Sequence, residues 1–119
     1  HNANPQSMAL ALATLARMQE GQRRVAVLGP MAELGPDSPR LHAHTGALAR
    51  QCADLVVGVG GEAQGYGPDL WYPDVDSCAE DVSQRLRPGD CVLFKASNSS
   101  QLWRAIDRLA PQEQNEPAQ

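Results

Sequence analysis

Apolar residues along this chain follow two rhythms. Met8, Leu12, Leu15 and Met18 recur every three or four residues, the period of one helix face. The segment opens on Asn4-Pro5. Asn accepts from the first free amides of a helix, and Pro suits the first helical position because the N–H it lacks has no partner there. A helix is therefore predicted, with Gly21 ending it. The second rhythm is the short continuous run. Val25-Ala26-Val27-Leu28, residues 54–59 and Cys91-Val92-Leu93-Phe94 are such runs, as expected of strands buried on both faces. Leu70-Trp71-Tyr72 is a shorter strand candidate. Between the runs, Ser38-Pro39 repeats the cap-then-proline signal and starts a helix reaching about Gln51. Asp76-Ser77 caps a third helix that reaches Leu86, and Pro88-Gly89-Asp90 is a turn. Leu102, Ile106 and Leu109 share one face of a terminal helix.

Strands that alternate with helices and are apolar on both faces predict an α/β fold. The expected architecture is a three-layer Rossmann-like domain with a mainly parallel sheet flanked by helices. Ligands of such sheets bind beyond the carboxyl ends of the strands. Three loops are therefore candidates: residues 29–37, 58–67 and 95–100.

Composition narrows the classes. A chain of 119 residues fits one domain, and 42% hydrophobic with 4% aromatic residues implies a core of Ala, Val and Leu. The domain is expected over residues 1–110. The tail 111–119 has almost no apolar residues and is expected to be disordered. A net charge of -4 argues against nucleic acid or an anionic membrane as partner. No apolar run approaches the roughly 20 residues of a membrane span. The first helix lacks a basic leader, so it is not read as a targeting segment. Cys52, Cys78 and Cys91 have no metal-ligand spacing and are expected as free buried thiols in a reducing cytoplasm.

Candidate chemistry sits in the three loops. Gly58-Val59-Gly60-Gly61-Glu62-Ala63 matches the dinucleotide pattern G-x-G-x-x-G/A after a strand, with Asp76 and Glu80 near the position of a ribose-binding acid. Gly65, Gly67 and Pro68 would break the helix that pattern requires, so a structural turn is the competing reading. Lys95-Ala96-Ser97-Asn98-Ser99-Ser100 joins a strand to a helix and could hold an anion; equally, Ser97 or Ser99 could only cap the helix. Glu33 and Asp37 could bind a metal or an amine, or favour the following helix dipole. His42 and His44 are two apart on a helix and face different ways, which argues against a shared metal. There is no G-x-x-x-x-G-K-[ST] loop.

These segments together resemble a family. His1-Asn2-Ala3-Asn4-Pro5-Gln6-Ser7-Met8 is similar to the Tyr-Asn-Ala-Asn-Pro-x-Ser-Met that opens the C-terminal domain of Mur ligases of the D-alanyl-D-alanine-adding (MurF) type. Val27-Leu28-Gly29-Pro30-Met31-Ala32-Glu33-Leu34-Gly35 matches the family's Val-Leu-Gly-Asp-Met-x-Glu-Leu-Gly with one change, and His42 corresponds to a histidine in the next helix. Lys95-Ala96-Ser97-Asn98 stands where the family has Lys-Gly-Ser-Arg. The abrupt start at His1, without Met or signal peptide, then reads as a junction in a longer protein.

The resemblance implies an ATP-dependent peptide ligase of peptidoglycan precursor synthesis. ATP phosphorylates the terminal carboxylate of UDP-MurNAc-tripeptide, and the amine of D-Ala-D-Ala attacks the acyl phosphate. ATP, Mg2+ and the UDP moiety would be held mainly by N-terminal and central domains, and this chain would close over them, inactive alone and with no tightly bound cofactor or metal. Asn2, Asn4, Glu33, Lys95 and Ser97 are the residues the resemblance assigns to substrate or nucleotide. The departures Pro30, Ala96 and Asn98 leave the amine substrate open. A dinucleotide-binding module and a non-catalytic α/β interaction domain are the alternative readings.

Overall fold

The computed structural model describes residues 3–18 and 22–96. The predicted terminal helix and the tail lie outside the described residues. Helix α1 (Pro5–Ala16) starts where the sequence places it. The Asn4 side chain accepts from the Ser7 amide at 2.8 Å, and the Asn4 amide donates to Ser7 Oγ at 3.0 Å, so two otherwise unpaired donors are satisfied reciprocally. Met8, Leu12 and Leu15 are buried. The helix stops at Ala16, well before Gly21, and Met18 is 47% exposed rather than core. The Arg17 amide turns back to the Thr14 carbonyl at 3.1 Å, and the Arg24 guanidinium takes the Met18 carbonyl. The last turn is thereby tightened and closed from outside.

Strands β1 (Arg24–Leu28), β2 (Leu55–Val59), β3 (Leu70–Tyr72) and β4 (Cys91–Lys95) form one sheet in the order β3-β2-β1-β4, with every pairing parallel. Alternate residues feed two cores. Ala26, Leu28 and Val56 join α1 and helix α2 (Ser38–Cys52) on one face. Val25, Val27, Val57 and Val59 meet Val75, Cys78, Ala79 and Val82 of helix α3 (Val75–Arg85) on the other. Right-handed crossover explains the sides. The chain crosses through α2 in one direction, from β1 to β2, and through α3 in the other, from β3 past β2 and β1 to β4.

Two helix starts differ from expectation. Ser38 is the first helical residue and not the cap, because a short 3-10 turn (Gly35–Asp37) runs straight into α2. Its hydroxyl is free to turn inward. Helix α3 is capped by Asp74 rather than Asp76-Ser77; the Ser77 amide donates to Asp74 Oδ1 at 2.7 Å. That bond holds the Asp74 carboxyl below the usual carboxylate range. The three cysteines are unpaired, and only Cys78 is fully buried. Burial, with the Asp81 charge second, pushes its thiol up to about 12, so it remains a protonated core group.

Candidate functional site

The direction of chain progression reverses at β1, which has β2 on one side and β4 on the other. In doubly wound sheets that reversal opens a crevice beyond the carboxyl ends of the two diverging strands. Here the crevice between β1 and β4 is nearly shut. The Gly29 amide donates to the Lys95 carbonyl at 2.9 Å. A Cβ at residue 29 would stand 2.4 Å from the Cβ of Ala96, so only glycine fits. Lys95, at the end of β4, is in register with Leu28.

The loop after β1 has no backbone donor left for an anion over its first four residues. Gly29 gives its amide to Lys95, and Pro30 has none. Met31 donates to His42 Nε2 at 3.0 Å, and Ala32 to the Ala3 carbonyl at 3.4 Å. A phosphate-cradling loop aims several free amides at its ligand; these are turned into the protein. Pro30 packs on the end of β2, where a Cβ at Gly60 would meet its Cγ at 3.2 Å.

The loop after β2 is not the strand-to-helix turn of a dinucleotide fold. Residues Gly61–Tyr66 form a 3-10 helix closed by Gly67 in the left-handed conformation. The Gly60 amide goes to the Tyr72 carbonyl, and the Ala63 amide to the Gly60 carbonyl. This turn lies so close on α2 that a Cβ at Gly46 would come within 1.8 Å of the Tyr66 carbonyl oxygen.

A hydrogen-bonded network, buried at His42, Ser38 and Tyr66 and reaching the exposed Glu62 carboxylate, ties these loops together. His42 is 1% exposed. Because its Nε2 accepts from Met31, the proton is on Nδ1, which donates to the Ser38 carbonyl at 2.8 Å. Ser38 Oγ lies 3.1 Å from the same Nδ1 and donates to Glu62 Oε2 at 3.2 Å. Ser38, His42 and Glu62 thus assemble without the logic of a nucleophile. The hydroxyl proton points to Glu62, and neither imidazole nitrogen is available to remove it. The Tyr66 ring lies 4.9 Å from His42, and its hydroxyl donates to the Gly29 carbonyl at 2.7 Å. Burial, then the Glu62 charge, raises the Tyr66 phenol far above its usual range, so it stays a donor.

Three of the five sequence-predicted site residues lie at this end of the sheet; Asn2 and Ser97 fall outside the described residues. Asn4 is exposed, with its side-chain oxygen engaged as the α1 cap. The start of α1 touches the β1 loop through the Ala3 carbonyl. Ser7 and Lys95 share the wall of a cavity of about 440 Å³ that is otherwise lined mainly by apolar residues such as Leu10 and Leu93. Glu33 is exposed on the β1 loop and has a left-handed backbone, φ 59°. Among the described residues neither the Glu33 carboxylate nor the Lys95 ammonium has a hydrogen-bond or ion-pair partner. Asp37 instead pairs with Arg40 at 3.5 Å on the surface. His44 is exposed on α2, apart from buried His42. Among the described residues no three of His, Cys, Asp and Glu converge as metal ligands would. From sequence, Ser38 was expected only as a helix cap and Glu62 only as a position in the glycine-rich motif, and Tyr66 was not singled out. The one available signal was Tyr66, an aromatic residue set between Gly65 and Gly67 in a turn.

Comparison with known proteins gives a consistent result. The profile of the family described as Mur ligase, glutamate ligase domain, matches residues 1–98. A UDP-N-acetylmuramoyl-tripeptide--D-alanyl-D-alanine ligase of Mycobacterium tuberculosis is 38% identical over a 138-residue alignment that covers 92% of this chain and 27% of that protein. The crystal structure of MurF ligase from Thermotoga maritima, in complex with ADP, superposes with a TM-score of 0.80 at 27% identity, covering 98% of this chain and 28% of that one. MurF from Acinetobacter baumannii superposes with a TM-score of 0.75 at 29% identity, covering 92% of this chain and 26% of that one. The chain therefore spans about a quarter of the length of the relatives it matches.

Proposed function

The chain belongs to the Mur ligase family as its glutamate ligase domain, and from that premise we propose that it is the C-terminal closing domain of a cytoplasmic, ATP-dependent peptide ligase. The reaction would add D-alanyl-D-alanine to UDP-N-acetylmuramoyl-tripeptide. The observation that carries this reading is the agreement of its relatives: several named for that one activity match over 92% or more of the chain. No described helix is long and apolar enough to cross a membrane.

The proposal divides the labour between domains. Over its first four residues the β1 loop gives its amides to partners within the domain, which does not suit a phosphate cradle at that point. On this reading ATP and Mg2+ are held mainly by the N-terminal and central domains, where ATP supplies the phosphoryl group that activates the tripeptide carboxylate. This chain supplies side chains from a rigid rim. Lys95, an ammonium at the mouth of the β1/β4 crevice, would hold an anion, either the dipeptide carboxylate or a phosphate. Glu33 presents a carboxylate suited to the incoming amine. Asn4 caps α1 with its oxygen and has an amide N–H2 left to offer. Asn2 and Ser97 belong to the same two motifs and are assigned with them. Closure over the other domains orients the amine and excludes water, the main ways a lid accelerates such a step.

The complete ligase should release phosphate only when ATP, UDP-MurNAc-tripeptide and D-Ala-D-Ala are all present, and the 119-residue chain should release none. Turnover by the chain alone would overturn the proposal, as would a complete ligase indifferent to D-Ala-D-Ala.

A further inference from the structure

We infer that His42 is a positioning residue: through the Met31 amide it sets the left-handed backbone that presents the Glu33 carboxylate at the strand ends. Glu33 is the one non-glycine residue among those described with a positive φ. Residues with a side chain are disfavoured in this conformation, and it persists only where the surroundings enforce it. Gly35, two residues on, has φ 66°, but glycine adopts that value freely. The enforcement at Glu33 must come from how its flanks are held.

Those flanks are pinned from three sides. Upstream, Met31 is 1% exposed, its amide is bonded to His42, and its sulfur accepts from Thr45 Oγ1 at 3.9 Å. The Ala32 amide reaches the Ala3 carbonyl. Downstream, Leu34 packs against the core on the α1/α2 face. Of these holds, the bond from Met31 to His42 is the shortest polar one and is fully buried. The imidazole is suited to it because the ring is rigid and is itself fixed at both nitrogens. Nδ1–H is anchored one turn back at the Ser38 carbonyl, which aims the Nε2 lone pair at Met31. Tyr66 packs on the ring, and Glu62 faces it through the Ser38 hydroxyl. The competing reading is that His42 only fills space in the core. An apolar residue of similar volume would then serve as well. The functional half of the inference rests on the ligase reading, through Glu33; the backbone half stands without it.

Nitrogen-15 NMR on the whole 119-residue chain tests the backbone half. The His42 ring should show the Nδ1–H tautomer, and Glu33 should give the strong intraresidue HN–Hα cross-peak of a left-handed residue. His42→Gln, whose carboxamide oxygen can accept from Met31, should retain that cross-peak. His42→Leu should lose it and should speed Met31 amide exchange by about tenfold, with β1 and β2 amides unchanged. An Nε2–H tautomer in the unmodified chain would overturn the inference even if the leucine variant fails to fold. So would a folded leucine variant with Glu33 and Met31 unaltered. In the complete ligase, His42→Leu should raise KM for D-Ala-D-Ala about tenfold with a smaller change in kcat, and His42→Gln should restore it. Equal kinetics for both variants and the parent would remove the positioning role. A parent ligase that never uses D-Ala-D-Ala would instead sink the ligase reading and leave the NMR result standing.

Discussion

At the amino end of the sheet, carboxylates close the backbone. Asp54 accepts from the Arg24 amide and Asp69 from the Val56 amide, each at 2.8 Å. Arg23 forks onto Asp90 at 2.8 and 3.2 Å and also reaches the Arg85 carbonyl. At the carboxyl end the corresponding ties are mostly uncharged: Gly29 to Lys95, Met31 to His42, Tyr66 to Gly29, and Trp71 to the Gly60 carbonyl. The acids that tie strands at the amino end have their charges engaged within the domain. Glu33 and Lys95, at the carboxyl end, do not engage theirs among the described residues. Charges held ready on a neutral, locked frame are what a lid needs if its partners come from outside.

The largest effect on this contrast is expected where the frame is tightest. Gly46→Ala would drive a Cβ to within 1.8 Å of the Tyr66 carbonyl. Backbone would have to separate α2 from the 3-10 turn, and urea denaturation should show a loss of about 3 kcal/mol or more. A loss below about 1 kcal/mol would mean the carboxyl-end frame is looser than its geometry.

Asp90→Asn tests the amino end, with an expected loss of about 1–2 kcal/mol at neutral pH. Burial alone would raise the Asp90 carboxyl; its bonds from Arg23 and the Arg87 amide outweigh burial and hold it below the usual carboxylate range. A carboxyl depressed in the folded state stabilises above its unfolded value, near about 3.9, and that stability is lost as pH falls through the lower folded value. Unfolding free energy measured from neutral pH down past about pH 4 should therefore fall less steeply for Asp90→Asn than for the parent chain. Parallel curves would show that the Arg23–Asp90 pair contributes no pH-dependent stability.

Glu33→Gly should have the smallest effect on stability and the opposite sign. Glycine relieves the left-handed backbone, so the chain should be unchanged or more stable by up to about 1 kcal/mol, while ligation by the complete enzyme falls. A clear destabilisation would make Glu33 a structural residue and erase the difference between the two ends.

Strands β1 and β2 were readable because strands buried on both faces need unbroken apolar runs. Strand β4 carries such a run too, but as an edge strand its five residues are only partly buried, not buried on both faces as expected. Helix starts were less legible. Ser38 and Ser77 both read as caps, yet one hydroxyl turns inward to Glu62 and the other residue merely donates its amide to Asp74. Lys95 and Glu33 could be placed at strand ends from spacing alone. The closing of the crevice could not. It depends on β4 returning beside β1, which puts Ala96 on Gly29, and no local pattern encodes that strand order. The network of Ser38, His42, Glu62 and Tyr66 was hidden for a related reason, because it joins α2 to a turn about 20 residues further along the chain.

If the carboxyl end serves the reaction and the amino end serves the fold, activity and stability should separate between them. Steady-state kinetics of the complete ligase with Lys95→Ala, beside Asp90→Asn, address this head-on. Lys95→Ala should lower kcat/KM for D-Ala-D-Ala or ATP at least about tenfold, with the melting temperature unchanged. Asp90→Asn should lower the melting temperature and leave kcat/KM near that of the parent below it. Unchanged kinetics for Lys95→Ala, or a kinetic defect confined to Asp90→Asn, would show that the two ends do not divide the work in this way.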